Sequence, residues 1–184
     1  MSPASGLSSS GLARRRFTRA GIAATGAIAT VANATGTVKK CATASGSLSG
    51  GMSSHVPVVA PKCAGLSPGY WKNTNSWPCA VTKKFSDFFP LTTLTNQYAN
   101  LTMKQVLNPQ TFQNIAKGDP SGIGRHMVAT YLNIISAPPK INVLTTATLL
   151  SMWNDYANDG IYKPSASANW NAAAIVTYLQ GTMT

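Results

Sequence analysis

A chain of 184 residues with 44% apolar content supports one ordinary core and leaves no room for a second large domain. The formal charge of +11 suggests an anionic partner, but Arg14, Arg15, Arg16 and Arg19 all fall in the first segment, and without them the balance is +7. The lysines that remain are scattered singly or in pairs, without the dense basic stripe that neutralising many phosphates requires, so no nucleic-acid partner is expected.

Residues 1–34 have the anatomy of a removable export signal: a polar start, a basic cluster, an apolar stretch from Ala20 to Val31 and the small-x-small end Ala32-Asn33-Ala34. Cleavage is expected between Ala34 and Thr35. The run Arg14-Arg15-Arg16-Phe17-Thr18-Arg19 resembles a twin-arginine consensus, with Arg14, Arg15, Phe17 and Arg19 as its recognition residues and Thr18 in place of the usual leucine. A weakly hydrophobic Ala/Gly/Thr stretch suits that route better than the general secretory one. The stretch is too short and too polar to span about 30 Å of hydrocarbon, so membrane contact is expected only during export. The expected destinations are the periplasm, the cell surface or the extracellular space.

Residues 35–62 are rich in Thr, Ser, Gly and Ala, lack helical periodicity and hold short β-like pieces at Thr37-Val38 and Val56–Val59. They read as an irregular, partly β arm. Next comes Cys63-Ala64-Gly65-Leu66-Ser67-Pro68-Gly69-Tyr70-Trp71-Lys72-Asn73, then Trp77-Pro78-Cys79. Ser67-Pro68-Gly69 reads as a turn tripeptide. An extended exit from it would aim Tyr70 and Trp71 in opposite directions, one ring into the core and one onto the surface. The motif is thus either a lid over the core or a binding surface of Tyr70, Trp71, Lys72, Asn73 and Trp77.

Four helices are expected beyond residue 90. Asn108 and Pro109 read as N-cap and first residue of one, with Phe112, Ile115 and Ala116 on its face and Gly118 as its stop. Ser121 reads as the cap of the next, which runs to the Pro138-Pro139 break. At 100° per residue, Ile123, Met127, Val128, Tyr131, Leu132, Ile134 and Ile135 share one half of its wheel, while Arg125, His126, Thr130 and Asn133 form a polar arc. A third helix is predicted from about Thr146 to Asn158, with Leu149, Leu150, Trp153 and Tyr156 inward and Gly160 ending it. A fourth begins at Asn169 and buries Trp170, Ile175, Val176 and Leu179. The expectation is a mainly α fold: residues 63–184 form a four-helix core capped by the aromatic turn, with residues 35–62 as its arm.

The stretch from Gly65 to Asn73 followed by Trp77-Pro78, together with Arg125-His126-Met127-Val128-Ala129-Thr130-Tyr131-Leu132-Asn133, resembles a family of small exported bacterial proteins and surface-protein modules. That family carries an S/T-P-G-Y/F-W-K-N-H-P motif and a later R-H-x-V-A-x-x-L-N helix, and its activity is not established. The family's His-Pro is Thr74-Asn75 here, so any role of that histidine does not transfer. In an exported chain, Cys41, Cys63 and Cys79 imply one disulfide and one free thiol. The pair is Cys41 with Cys63, Cys63 with Cys79 or Cys41 with Cys79, and loop entropy does not choose, the first two rings differing by only roughly 0.3 kcal/mol. The resemblance implies Cys41 with Cys63.

Other chemistry is thin. Arg125 is the only arginine beyond residue 34, and it adjoins one of two histidines, but the chain has no glutamate to orient a catalytic imidazole. The pair reads as a structural polar edge. A zinc site combining the cysteines with His55 or His126 lacks paired C-x-x-C spacing, and Asp155, Ala157 and Asp159 in calcium-loop register would place Ala166 where a bidentate glutamate belongs. No catalytic residue, metal or cofactor is expected. The leading expectation is a non-catalytic exported adhesion, matrix or surface-assembly protein that associates with itself, for instance by exchange of residues 42–60 between copies. The alternatives are a carbohydrate-binding module built on Tyr70, Trp71 and Trp77, and a small secreted hydrolase resting on His126.

Overall fold

The structure is a computed structural model that describes residues 41–48, 61–108 and 119–184, all within the unit Thr35–Thr184. The export signal, most of the arm with His55, and the helix expected from Pro109 lie outside the described residues. Helix α1 (Ala44–Leu48) is followed by α2 (Pro68–Asn73), 3-10 segments at Phe85–Asp87 and Thr93–Tyr98, and α3 (Met103–Val106). Then come α4 (Ile123–Ile135), α5 (Thr146–Asp159), the antiparallel strands β1 (Tyr162–Ser165) and β2 (Ala168–Trp170), and α6 (Ala172–Gln180).

The mainly α, four-helix expectation fails, because helices and a two-stranded sheet together make the class mixed α/β. Among the described residues the helices do not gather around one common seam. Instead α4 runs through the middle and packs against α2, α3, α5 and α6. Every residue from Ile123 to Asn133 except Arg125 is buried, so His126, Thr130 and Asn133 of the expected polar arc are interior. A wheel assigns faces by polarity, and it fails where each polar side chain has a buried partner to meet.

Two local readings are also corrected. The N-cap position of α4 is Gly122, in the left-handed region at φ 72°, rather than Ser121. The capping charge comes from further back: the Asp119 carboxylate accepts from the N–H groups of Ile123 at 2.8 Å and Gly124 at 3.0 Å, and Ser121 Oγ donates to it at 3.1 Å. A carboxylate at this end of a helix satisfies orphan donors and opposes the helix dipole favourably. The fourth helix begins at Ala172, not Asn169. Residues 168–170 instead pair with β1, Tyr162 opposite Trp170, and the Asn171 side chain caps α6 by accepting from Ala174 N–H at 3.0 Å. Trp170 accordingly packs between Tyr162 and Tyr178, at 6.0 and 5.1 Å between ring centroids.

The densest part of the core comes from residues that carry little periodicity. Phe85, Phe89 and Tyr98 surround Trp153 of α5 with centroids 5.1 to 5.7 Å away, in edge-on packing that suits aromatic quadrupoles. Trp153 Nε1–H donates to Pro90 O at 2.7 Å, so this fully buried indole leaves no unpaired donor. Tyr98 lies so close to α4 that a Cβ at Gly124 would sit 2.5 Å from its ring, which is why glycine occupies a mid-helix position there.

The arm is pinned rather than loose where it is described. Cys41 and Cys63 form a disulfide with Cα atoms 5.3 Å apart, the pairing the family resemblance implied, and Tyr178 Oη–H donates to Ala42 O at 3.0 Å. Ala44 of α1 is buried, so this part of the arm is helical where no helix was expected. Cys79 is free and half-buried, with burial pushing its thiol pKa up.

Candidate functional site

The Ser67-Pro68-Gly69 tripeptide begins a helix instead of an isolated turn. Ser67 is the N-cap and accepts from Tyr70 N–H through its hydroxyl, and Pro68 occupies the first helical position, where its missing N–H is no loss. Tyr70 and Trp71 therefore diverge by the helical 100° rather than by strand alternation. That is enough to separate them: Trp71 is 3% exposed and Tyr70 47%. The two rings meet edge to face, 5.5 Å apart at 89°.

Trp71 is held from below by α4. Its Nε1–H donates to Asn133 Oδ1 at 3.1 Å. The same Oδ1 accepts Leu66 N–H at 2.8 Å, while Asn133 Nδ2–H donates to Leu66 O at 2.9 Å. Trp77 is tied into this unit by donating to Trp71 O at 3.0 Å, with the Lys104 ammonium of α3 over its ring at 5.5 Å and donating to Thr74 O. Lys72 and Trp77 are half-buried, Asn73 is exposed and Trp71 is buried, so the five residues expected to share one surface differ widely in exposure.

Two concavities flank α2. On one side, Tyr70, Trp77, Pro78, Ser76, Ser136 and Lys140 help to line an open groove of about 430 Å³. On the other, Ser67, Gly69, Arg125, His126, Gln180 and Thr184 help to line a cleft of about 340 Å³. The turn tripeptide and the Arg-His pair, far apart in sequence, thus meet in one cleft.

His126 is 4% exposed, and its Nδ1 lies 2.8 Å from Gly122 O, so Nδ1 carries the proton and donates. Nε2 is left as an acceptor, 3.3 Å from Gln180 Nε2, whose amide donates to it. Burial, with the Arg125 charge adding to it, holds the imidazole pKa below its ordinary 6.5, against the opposing pull of Gly122 O and Asp119. Arg125, read from the sequence as half of a structural polar edge, is half-buried. Its guanidinium folds back over Gly122, where a Cβ would lie 2.4 Å from Nε, and that Nε is buried without a hydrogen-bond partner.

Asn133, Asp119, Gln180 and Lys140 were not expected to matter. Asn133 could be found only through its place at the end of the second motif, and Gln180 carries no sequence signal, because its approach to His126 is set by how α6 packs on α4. Among the described residues no three His, Cys, Asp or Glu side chains gather as a metal site, and no helix is long and apolar enough to cross a membrane. No protein-family model, curated protein or solved structure matches this chain.

Two expectations follow. Trp71→Ala should destabilise the fold by about 3–5 kcal/mol, the range for emptying a buried aromatic site, whereas Tyr70→Ala should stay within about 0.5 kcal/mol in the same urea titration. Equal effects of the two changes would contradict the helical placement of the rings.

The His126 contribution has a definite sign. A depressed folded-state pKa means that the unfolded chain binds the proton more readily, so this stabilisation is complete above the ordinary 6.5 and is lost as pH falls through the lowered folded value. His126→Asn, which keeps a donor for Gly122 O, should remove that acid-side slope from a series of melts across the window. A variant with the parent slope would mean that another group titrates.

Proposed function

We propose that this chain is a non-catalytic exported surface protein that holds carbohydrate in the groove between Tyr70 and Trp77. The carrying observation is the half-exposed Tyr70 ring, braced edge-on by a buried tryptophan and facing a groove that also bears Trp77, Ser76 and Lys140. A sugar presents an apolar C–H face that stacks on a ring and a rim of hydroxyls that seek hydrogen-bond partners. A fixed aromatic wall with a few polar groups beside it matches both needs. Fixing the ring beforehand reduces the ordering entropy that binding would otherwise require. Trp71, largely buried, supports the Tyr70 ring from beneath and adds its edge to the groove lining.

Export fits the disulfide, which forms and persists in oxidising compartments, and the twin-arginine-like run at Arg14 and Arg15. The motif resemblance to small exported bacterial proteins points the same way.

Glycan-array binding of the exported protein, repeated with Tyr70→Ala, tests the groove. The variant should lose at least about tenfold in affinity, or 1.4 kcal/mol, with an unchanged melting transition. No glycan retained by the parent would sink the carbohydrate reading and leave self-association, measured by sedimentation, as the account of the surface. Separately, replacing Arg14 and Arg15 by lysine keeps the charge and should trap precursor in the cytoplasm. Undiminished export of that double variant would assign the general secretory route.

A further inference from the structure

The Arg125–His126 cleft is a second site, lined by none of the described residues that line the Tyr70 groove, and it does not depend on the carbohydrate reading. Among the described residues, its lining holds one permanent side-chain cation, Arg125, no aspartate side chain, and two polar groups whose bonding is incomplete. Arg125 Nε is buried without a partner, and a buried unpaired donor destabilises a native fold, so its retention asks for an explanation. His126 Nε2 is a fixed acceptor whose one contact, the Gln180 amide at 3.3 Å, is long and comes from an exposed side chain. The tautomer is not free to change, because Nδ1–H is engaged by Gly122 O.

We propose that this cleft binds a small hydroxylated carboxylate, of the hydroxy-acid or sugar-acid class, with the carboxylate on the Arg125 guanidinium and a ligand hydroxyl donating to His126 Nε2. A planar carboxylate matches the fork of the guanidinium. A neutral imidazole acceptor selects a donor, which a hydroxyl supplies and a bare carboxylate does not. The Gln180 amide turns from the ring to the ligand as the hydroxyl takes its place. A phosphate dianion fits less well: Arg125 supplies one positive charge, and burial keeps His126 from supplying a second.

The test is a titration of the exported protein, labelled with nitrogen-15, using D-glucuronate, glucose, acetate and inorganic phosphate at constant ionic strength. The Arg125 Nε–H and His126 ring resonances are followed. Glucuronate should shift both saturably and bind at least about tenfold more tightly than acetate, while glucose should shift neither. Arg125→Gln should abolish the effect. Arg125→Lys, which keeps the charge and serves if the glutamine variant misfolds, should weaken it. His126→Asn should bring glucuronate down to the affinity of acetate. Tyr70→Ala should leave the titration unchanged, which separates this cleft from the groove. The proposal is overturned if glucuronate produces no saturable shift, if the shifts survive in both Arg125 variants, or if phosphate binds more tightly than glucuronate.

Discussion

The side chain of Asn133 is the constraint on which the arrangement rests. It sits fully buried in the last turn of α4 and behaves as a piece of backbone: its amide exchanges both hydrogen bonds with the N–H and C=O of Leu66, as a neighbouring strand would. Its oxygen also receives the Trp71 indole, and its own main-chain carbonyl accepts Lys140 N–H at 2.9 Å. A buried amide is tolerated only when its valences are met, and once they are met the partners have little freedom to shift. Leu66 fixes where α2 begins, Trp71 fixes how it is rotated, and Lys140 brings the far wall of the groove into place.

This explains why two short motifs, separated by about fifty residues, have the content they do. The tryptophan of the first and the final asparagine of the second are one hydrogen-bonded unit. The serine, proline and glycine of the first and the arginine and histidine of the second line one cleft. Gly65, in the same stretch, is as constrained as the polar groups: a Cβ there would lie 2.7 Å from Thr182 O and 3.0 Å from the Asn133 amide nitrogen. Motif residues here are those for which the partner dictates the side chain.

Much of the helical framework was legible. The span of α5 and its left-handed Gly160 end follow from spacing and the C′ preference for glycine, and the end of α4 from the prolines that follow it. What was not legible has physical reasons. Residues 85–98 are built around two short 3-10 segments, which leave no 3.6-residue pattern to read, although they supply Phe85, Phe89 and Tyr98 to the aromatic cluster around Trp153. The Tyr162–Trp170 hairpin is too short and too rich in Pro, Ser and Ala to show alternation. The polar arc of α4 looked like a solvent face because a sequence does not reveal that Asn133 would meet a free backbone edge or His126 a carbonyl of its own helix. The divergence of Tyr70 and Trp71 was anticipated, but through an extended exit, whereas a proline at the first helical position and a serine before it are the stronger signature of a helix start.

The strand-like run through Gly65 has a mechanical consequence. It pairs in parallel with residues at Met183, through Gly65 N–H to Thr182 O at 3.1 Å and Thr184 N–H to Gly65 O at 2.8 Å. Tension applied upstream of residue 63 and at Thr184 pulls the two runs past each other along their length, so these bonds are strained together rather than peeled off in turn. The Cys41–Cys63 link delivers such a pull directly to the start of that run and shields the chain between the two cysteines from it. A body tethered at one end and gripped at the other would thus meet its load along its most resistant direction.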